Sequence, residues 1–163
     1  MKTIAKFLTG LTVALLLFVG YYVWSSSLPA EVSVRVESAS AYPEDFAAVQ
    51  QMVQDGKLEG VSALDTIQAY YVVTIDVNVS NYSLFTGEWA QLQVRGVDGD
   101  LVLLSLDGGP KDIPSFGQNT FSARVFTRSA QEARGGWLEY YVFGRLHTIE
   151  ISSAAADTAA RRA

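Results

Sequence analysis

Residues 71–80 read Tyr-Val-Val-Thr-Ile-Asp-Val-Asn-Val-Ser, and their alternation indicates the fold class of the chain. One set of alternate positions is apolar throughout: Tyr71, Val73, Ile75, Val77 and Val79. The positions between them are mostly polar. Because successive side chains of a strand point to opposite faces, this pattern predicts a long β-strand with one buried face and one face in water.

The segments around this strand repeat the pattern. Further strands are predicted at residues 31–38, 88–97, 100–106, 120–128, 137–143 and 145–151. The Asp98-Gly99 pair between two apolar runs predicts a hairpin, since both residues tolerate a positive φ. Residues 137–143 are apolar on both faces, which is typical of a central strand covered on two sides. Gly144 then predicts a bulge before the last strand.

One short helix is predicted at residues 43–55. Pro43 fits a first helical turn, two acidic residues follow it, and Phe46, Val49 and Val53 recur at helical spacing. Gly56 ends the segment. Together these elements predict a mainly β chain: an antiparallel immunoglobulin- or fibronectin III-like β-sandwich over residues 31–151 with one inserted helix.

The amino-terminal segment predicts the compartment. Lys2 and Lys6 precede residues 7–24, which carry no charge and end in Tyr21, Tyr22 and Trp24. As a helix this segment spans about 27 Å, close to the thickness of the hydrocarbon core of a bilayer. Flanking lysines favour the cytoplasmic side, and Tyr and Trp favour a membrane interface.

These features predict a cytoplasmic amino terminus at residues 1–6, a transmembrane signal anchor at 7–24 and a linker at 25–30. The sandwich follows outside the cytoplasm, and residues 152–163 are predicted to be a disordered tail. A cleaved signal peptide is the alternative, with the cut after Ser27 or Ala30. Either alternative exports the rest of the chain.

Charge and cysteine content exclude several classes of function. All seventeen acidic residues follow the apolar segment, as do ten of the twelve basic ones, so the exported part has a net charge of −7. Its basic residues are scattered, which argues against nucleic-acid binding. Cysteine is absent, which excludes disulfides, thiolate catalysis and a lipid-modified cysteine anchor.

Two segments carry a family resemblance. Residues 73–81, Val-Thr-Ile-Asp-Val-Asn-Val-Ser-Asn, precede a strand with Trp89, a Gly-Pro loop and the closing run Leu-Glu-Tyr-Tyr-Val-Phe-Gly at 138–144. Over about residues 69–151 the chain resembles the late-embryogenesis-abundant, water-stress type of β-sandwich domain. The resemblance implies a fibronectin III-like fold, frequent membrane tethering and no shared catalytic residues.

The residues give little support to catalysis. His147 is the only histidine and no nucleophile elbow accompanies it, so neither a His-based relay nor a histidine metal site is expected. The aspartates Asp98, Asp100 and Asp107 flank one turn, but their spacing matches no calcium loop and fits ordinary turn chemistry. We therefore expect no metal, no cofactor and no enzymatic activity.

Aromatic residues give the one indication of a binding site. Trp89 falls in the polar register of its strand, and Tyr82 and Phe85 lie in the preceding turn, so the three rings could form a platform for a sugar or a protein. Alternatively, Trp89 lies at a strand end and folds over the edge of the sandwich, where it caps the core. Asn78 and Asn81 each begin a glycosylation-type triplet but are interpreted as polar-face and turn residues.

The sequence thus predicts a membrane-anchored extracytoplasmic β-sandwich that acts as a binding or scaffolding module of the cell envelope. Its expected partners are the membrane and an envelope protein or carbohydrate. Three alternatives remain: a pilin-like structural subunit, a secreted domain after signal cleavage, and a small extracytoplasmic carboxylate-based hydrolase.

Overall fold

A computed structural model describes residues 2–25, 28–58, 60–106, 109–130 and 135–152. Within these ranges the chain forms two α-helices and eight β-strands. In chain order they are α1 (Lys2–Ser25), β1 (Ala30–Ser38), α2 (Pro43–Gln54), β2 (Tyr71–Ser80), β3 (Gly87–Val94), β4 (Asp100–Leu106), β5 (Lys111–Ile113), β6 (Gln118–Thr127), β7 (Gly135–Val142) and β8 (Arg145–Ser152). Short 3₁₀ turns at Ala39–Ala41 and Ile67–Ala69 flank the α2 region.

The strands form two four-stranded antiparallel sheets. The first sheet has the order β1-β2-β6-β4, and the second has the order β5-β3-β7-β8. The predicted mainly β, antiparallel class with one inserted helix is therefore confirmed. Strands that are neighbours in sequence often lie in different sheets, so most connections cross between them.

Both sheets contribute to one hydrophobic core. The buried face of β2 consists of Val73, Ile75, Val77 and Val79, as its alternation predicts. Phe121 of the neighbouring strand β6 belongs to the same core. The second sheet contributes Leu92 of β3, Leu138 of β7 and Ile151 of β8. Each fully buried aliphatic side chain stabilises the folded state by roughly 1.5–3 kcal/mol.

A second, smaller core lies on the outer face of the first sheet. It is formed by Ala39, Val49, Tyr70, Val72 and Phe126, with α2 covering the sheet. The helix begins at Pro43 and ends before Gly56, whose φ of 66° breaks the helical path, close to the predicted bounds. The outer face of β2 is thus only partly in water, because α2 covers Val72.

The turn at Asp98-Gly99 exists, but the predicted hairpin is wrong. The N–H of Asp100 donates to the carbonyl oxygen of Val97 at 3.0 Å, and the Asp100 carboxylate accepts from the N–H of Val97 at 2.9 Å. However, β3 pairs with β7 whereas β4 pairs with β6. The turn therefore carries the chain from one sheet to the other. Asp107, the third aspartate of the group, lies outside the described residues.

The bulge predicted at Gly144 is also wrong. Val142 pairs with Arg145, and the two residues between them have φ values of 51° for Phe143 and 70° for Gly144. Positive φ at both positions is the geometry of a two-residue type I′ hairpin. The bulge lies instead in β3, where the register shifts between Glu88 and Gln91.

Strand β7 is central in its sheet but is not covered on both sides. Leu138, Tyr140 and Val142 are buried in the core, whereas the side chain of Tyr141 on the opposite face is 40% exposed. The prediction that both faces of this strand are covered is therefore wrong for the face that carries Tyr141.

The start of the chain differs from its predicted division. Helix α1 begins at Lys2, so it includes most of the segment predicted as a cytoplasmic terminus. Of the predicted linker, Ser25 belongs to α1, Leu28 is buried in the core and Ala30 begins β1. The predicted tail lies outside the described residues except for Ser152, which ends β8.

Candidate functional site

Three loops meet at the end of the two sheets where the chain arrives from α1. They are the β2–β3 loop (residues 81–86), the β5–β6 loop (114–117) and the β7–β8 turn (143–144). The N–H of Asn81 donates to the carbonyl oxygen of Gly117 at 2.7 Å, and the N–H of Phe116 donates to that of Ser83 at 3.2 Å. We call this end of the β-domain, formed by the three loops, the base.

Asn81 organises the β2–β3 loop. Its buried side-chain amide donates to the carbonyl oxygens of Phe85 at 2.7 Å and Ile113 at 3.3 Å, and its Oδ1 accepts from the N–H of Ser83 at 2.9 Å. The interpretation of Asn81 as a turn residue is confirmed. The loop is thereby held in a fixed shape with Phe85 directed toward α1.

Phe85 is the centre of an aromatic cluster that joins α1 to the base. Its ring centroid lies 6.2 Å from that of Phe18, 5.9 Å from those of Tyr21 and Tyr22, and 4.8 Å from that of Phe143. We call these five residues the junction cluster. Edge-to-face aromatic pairs of this kind stabilise by about 0.5–1.5 kcal/mol each beyond their buried area.

A hydrogen bond adds to these ring contacts. The backbone N–H of Leu84 donates to the phenolic oxygen of Tyr21 at 3.1 Å. The last turns of α1 are therefore fixed to the β2–β3 loop both by packing and by a directional bond.

Two further rings lie beneath the junction cluster. Tyr140 is buried in the core and stacks on His147, with centroids 5.4 Å apart and planes at 19°. His147 in turn meets the edge of Tyr22 at 6.5 Å. A Cβ built on Gly87 would lie 3.3 Å from Cδ2 of Tyr140, so the glycine allows β3 to approach this ring closely.

Burial changes the ionisation of both rings. Desolvation raises the pKa of the Tyr140 hydroxyl above its ordinary value. Desolvation, followed by repulsion from Arg145, lowers the pKa of the His147 imidazole. The Nε2 atom of His147 is buried without a hydrogen-bond partner among the described residues. His147 is therefore neutral in the folded state near pH 7 and acts as a packing residue.

Stability should consequently fall in mild acid. Because the pKa of His147 is lower in the folded state than in the unfolded state, its contribution is complete above about pH 6.5 and decreases as the pH falls from there toward the folded-state pKa. Urea denaturation of the full chain in detergent between about pH 7.5 and pH 5 should show this loss. In His147→Phe the loss should be reduced; an unchanged pH dependence in that variant would contradict the assignment.

The structure separates the three rings of the predicted binding platform. Phe85 packs in the junction cluster, and Tyr82 is exposed beside it at the base. Trp89 lies on the bulge of β3 with a φ of 53°, its side chain 68% exposed, and its N–H donates to the Asp112 carboxylate at 2.9 Å. Trp89 is therefore exposed but does not form a platform with the other two rings.

The residues predicted for a membrane interface lie at the end of α1. Tyr21 and Tyr22 belong to the junction cluster, and Trp24 is in the last turn of α1, with its side chain outside the described set. The apolar part of the helix, Thr3–Tyr22, is exposed from Thr3 to Gly20 and half-buried at Tyr21 and Tyr22, and it is long enough to cross a membrane. A signal sequence would meet the same criterion.

Sequence reasoning missed several residues of the base. Leu84, Phe116 and Phe143 are all exposed there. One sequence signal could have found two of them, since Phe116-Gly117 and Phe143-Gly144 both place a Phe-Gly pair between strand patterns. His147 is expected from the sequence to be a surface or rim residue without a catalytic or metal-binding role, and its position beneath the cluster depends on a long-range contact.

No protein-family model matches this chain, and no curated protein matches it either. Its function is therefore argued from the geometry of the base, α1 and the exposed aromatic residues.

Proposed function

We propose that the chain is a single-pass membrane protein whose extracytoplasmic β-sandwich acts as a non-catalytic binding or scaffolding module of the cell envelope. The main support for this proposal comes from α1, which is an exposed apolar helix long enough to span a membrane. Its end is attached directly to a folded β-domain. An apolar surface of this size in water would be strongly unfavourable, and a bilayer removes it from water.

The orientation follows from the ends of α1. Lys2 and Lys6 lie at its start, which favours a cytoplasmic amino terminus, and Tyr21 and Tyr22 lie near its end, where aromatic rings favour an interface. The β-domain is then outside the cytoplasm. Its acidic charge and lack of cysteine are compatible with an exported domain that depends on its core for stability.

Retention of the anchor is supported by the residues that follow it. Leu28 is buried in the core, the carbonyl oxygen of Pro29 accepts from the N–H of Ser80 at 3.1 Å, and β1 begins at Ala30. Signal cleavage after Ala30 would remove a core side chain and the hydrogen bond that joins Pro29 to the end of β2. Cleavage after Ser27 would leave Leu28 as a charged amino terminus beside the core.

We further propose that the domain is an immunoglobulin-like sandwich. Its strand order supports this: β1-β2-β6-β4 corresponds to strands A-B-E-D, and β3-β7-β8 corresponds to C-F-G, with β5 as an added edge strand. The resemblance to the water-stress type of domain is compatible with this fold class and stays a prediction.

The proposed partner surface is the outer face of the second sheet around Trp89. A bulky residue at positive φ is a backbone outlier that costs about 1–3 kcal/mol, and bulges commonly re-aim a side chain. On the same face Trp137 and Tyr141 flank Glu139, whose carboxylate accepts from the indole N–H of Trp137 at 2.9 Å. Rings combined with carboxylates and amides fit a carbohydrate, which can stack on a ring and donate hydroxyl hydrogen bonds.

Trp89→Asn tests this surface. Because Asn tolerates a left-handed backbone, the variant should be as stable as the wild type or more stable by about 1 kcal/mol in urea denaturation. It should also lose co-sedimentation with insoluble cell-wall polysaccharide, whereas Tyr82→Ala, which removes an exposed ring at the base, should retain it. Equal sedimentation of Trp89→Asn and wild type would exclude Trp89 as a contact.

Cell fractionation tests the proposed function as a whole. A carboxy-terminally tagged chain should be recovered in the membrane fraction, and protease added outside the cytoplasmic membrane should remove the tag. Recovery in the cytosol, or a membrane-bound chain whose domain is protected from external protease, would overturn the proposal.

A further inference from the structure

Four exposed hydrophobic or aromatic side chains lie on the loops of the base, to which the end of α1 is attached. They are Tyr82 (69% exposed), Leu84 (64%), Phe116 (67%) and Phe143 (70%). All three loops of the base contribute to this group, and hydrogen bonds between the β2–β3 and β5–β6 loops hold two of these loops together. Large exposed hydrophobic side chains on neighbouring loops often mark a surface that meets a protein or a membrane.

Two of these residues are displayed at a cost in backbone strain. Phe116 and Phe143 have φ values of 52° and 51°. Such turn positions favour Gly or Asn, and a bulky residue there is destabilising. The Phe143 ring contacts Phe85 in the junction cluster. The turn at Phe116, by contrast, displays a phenylalanine where Gly or Asn would be favoured, which indicates a function for its exposed ring.

The depth of the base relative to α1 indicates what covers it. Phe85 in the β2–β3 loop contacts Phe18, which lies about 6 Å before Tyr22 along the helix axis. Tyr22 ends the apolar stretch that can cross a membrane. The loop therefore reaches the level of the last turn of that stretch, at the outer boundary of the hydrocarbon core.

We propose that the base is seated in the outer interface of the bilayer, with Tyr82, Leu84, Phe116 and Phe143 entering the boundary between headgroups and acyl chains. This inference rests on the proposed function, since it requires α1 to be in the membrane. Continuity with α1 identifies lipid as the occupant, because the base is adjacent to the point where the helix leaves the hydrocarbon core. Interfacial segments of proteins insert their apolar side chains about 5–10 Å into this boundary.

Seating the base would fix the orientation of the β-domain. The helix alone allows rotation and tilt, whereas a helix combined with three inserted loops defines how the sheets stand on the membrane. Helix α2 covers the opposite end of the first sheet, near Val72 and Phe126, so it would lie farthest from the membrane.

Depth-dependent quenching tests the proposal directly. The chain has no cysteine, so single cysteines can carry a fluorophore at Ser115 beside Phe116, at Gln50 on α2, and at Leu16 within α1. Each labelled full-length protein is reconstituted at high dilution in phosphatidylcholine vesicles that contain no other protein. Quenching by nitroxide attached to lipid is then compared with quenching by aqueous iodide.

The expected result is lipid quenching at Leu16 and Ser115 and iodide quenching at Gln50. In a Tyr82→Ala, Phe116→Asn background, the Ser115 label should become several-fold more accessible to iodide while the Leu16 label is unchanged. Both rings lie outside the junction cluster, Asn fits the left-handed turn position of Phe116, and thermal unfolding of the double variant verifies that the fold tolerates both changes.

The other outcomes separate the two proposals. If Leu16 is quenched by lipid but Ser115 behaves like Gln50, the seated base is excluded and the membrane anchor stands. If neither Leu16 nor Ser115 is quenched by lipid, both proposals fail. If the double substitution leaves the Ser115 label at its original depth, the exposed rings do not hold the base in the membrane.

Discussion

Replacing Gly136 with alanine is expected to destabilise the β-domain by about 3 kcal/mol, because the added methyl group meets backbone that cannot move aside. A Cβ at this position would lie 2.3 Å from the carbonyl oxygen of Gln93 and 3.3 Å from Cα of Val94. Gly136 is paired with Val94 in the β3–β7 ladder. The substitution would force these two central strands apart.

The adjacent glycine provides the control. A Cβ on Gly135 would have as its nearest neighbour the carbonyl oxygen of Ile151 at 3.8 Å, an ordinary contact. Gly135→Ala should therefore change the free energy of unfolding by less than about 1 kcal/mol. Urea denaturation of both full-length variants in detergent measures the difference in their free energies of unfolding. Equal stabilities would contradict the close contact between Gly136 and the backbone of β3.

The second large effect is expected for Tyr140→Ala. Tyr140 is buried between the core and the base, where it stacks on His147 and closely approaches Gly87. Removing a fully buried aromatic ring costs about 3–5 kcal/mol through lost burial and the cavity that remains. It should also loosen the attachment of α1, since the ring lies directly beneath residues that contact the helix.

Two variants on the same strand control for this interpretation. Tyr141→Ala removes a partly exposed ring from the opposite face and should cost about 1 kcal/mol or less. Tyr140→Phe keeps the ring and should cost about 0.5–1.5 kcal/mol, because it removes the hydrogen bond between the Tyr140 hydroxyl and the backbone of Leu28. Thermal or urea unfolding distinguishes the three proteins; a Tyr141→Ala variant as unstable as Tyr140→Ala would contradict the assignment of the two faces.

Patterns of neighbouring residues correctly predicted the elements whose buried faces can be read from their own sequence. The alternation of β2 gave its bounds and its inner face, and Pro43, the following acids and Gly56 gave α2. These signals are local because strand alternation and helix capping depend on residues a few positions apart. The fold class followed from them.

Pairing could not be predicted in the same way. Asp98-Gly99 supplies a turn, but whether β4 returns beside β3 or crosses to β6 depends on which strand offers a matching edge. Gly144 has a positive φ in either a bulge or a hairpin, and only the preceding Phe143, also at positive φ, makes it a type I′ turn. A bulky residue at that position is not expected from turn preferences.

The residues that form the base could not be predicted from local sequence patterns either. The contact of Phe85 with Phe143 joins two distant loops, and the contacts of Tyr22 join α1 to both. The sequence left open whether Tyr82, Phe85 and Trp89 form a platform or Trp89 caps the core. It could not tell that Phe85 faces the helix and Trp89 faces solvent. That division depends on the register shift in β3.

The measurement that tests the central claim most directly is the intact mass of the chain recovered from each fraction of its native cells. We expect the chain in the membrane fraction with a mass that includes the residues of α1, because the proposed anchor also forms one side of the junction cluster. A soluble exported chain that begins at Leu28 or Glu31 would contradict it, since the β-domain would then act without the helix and without a membrane beneath its base.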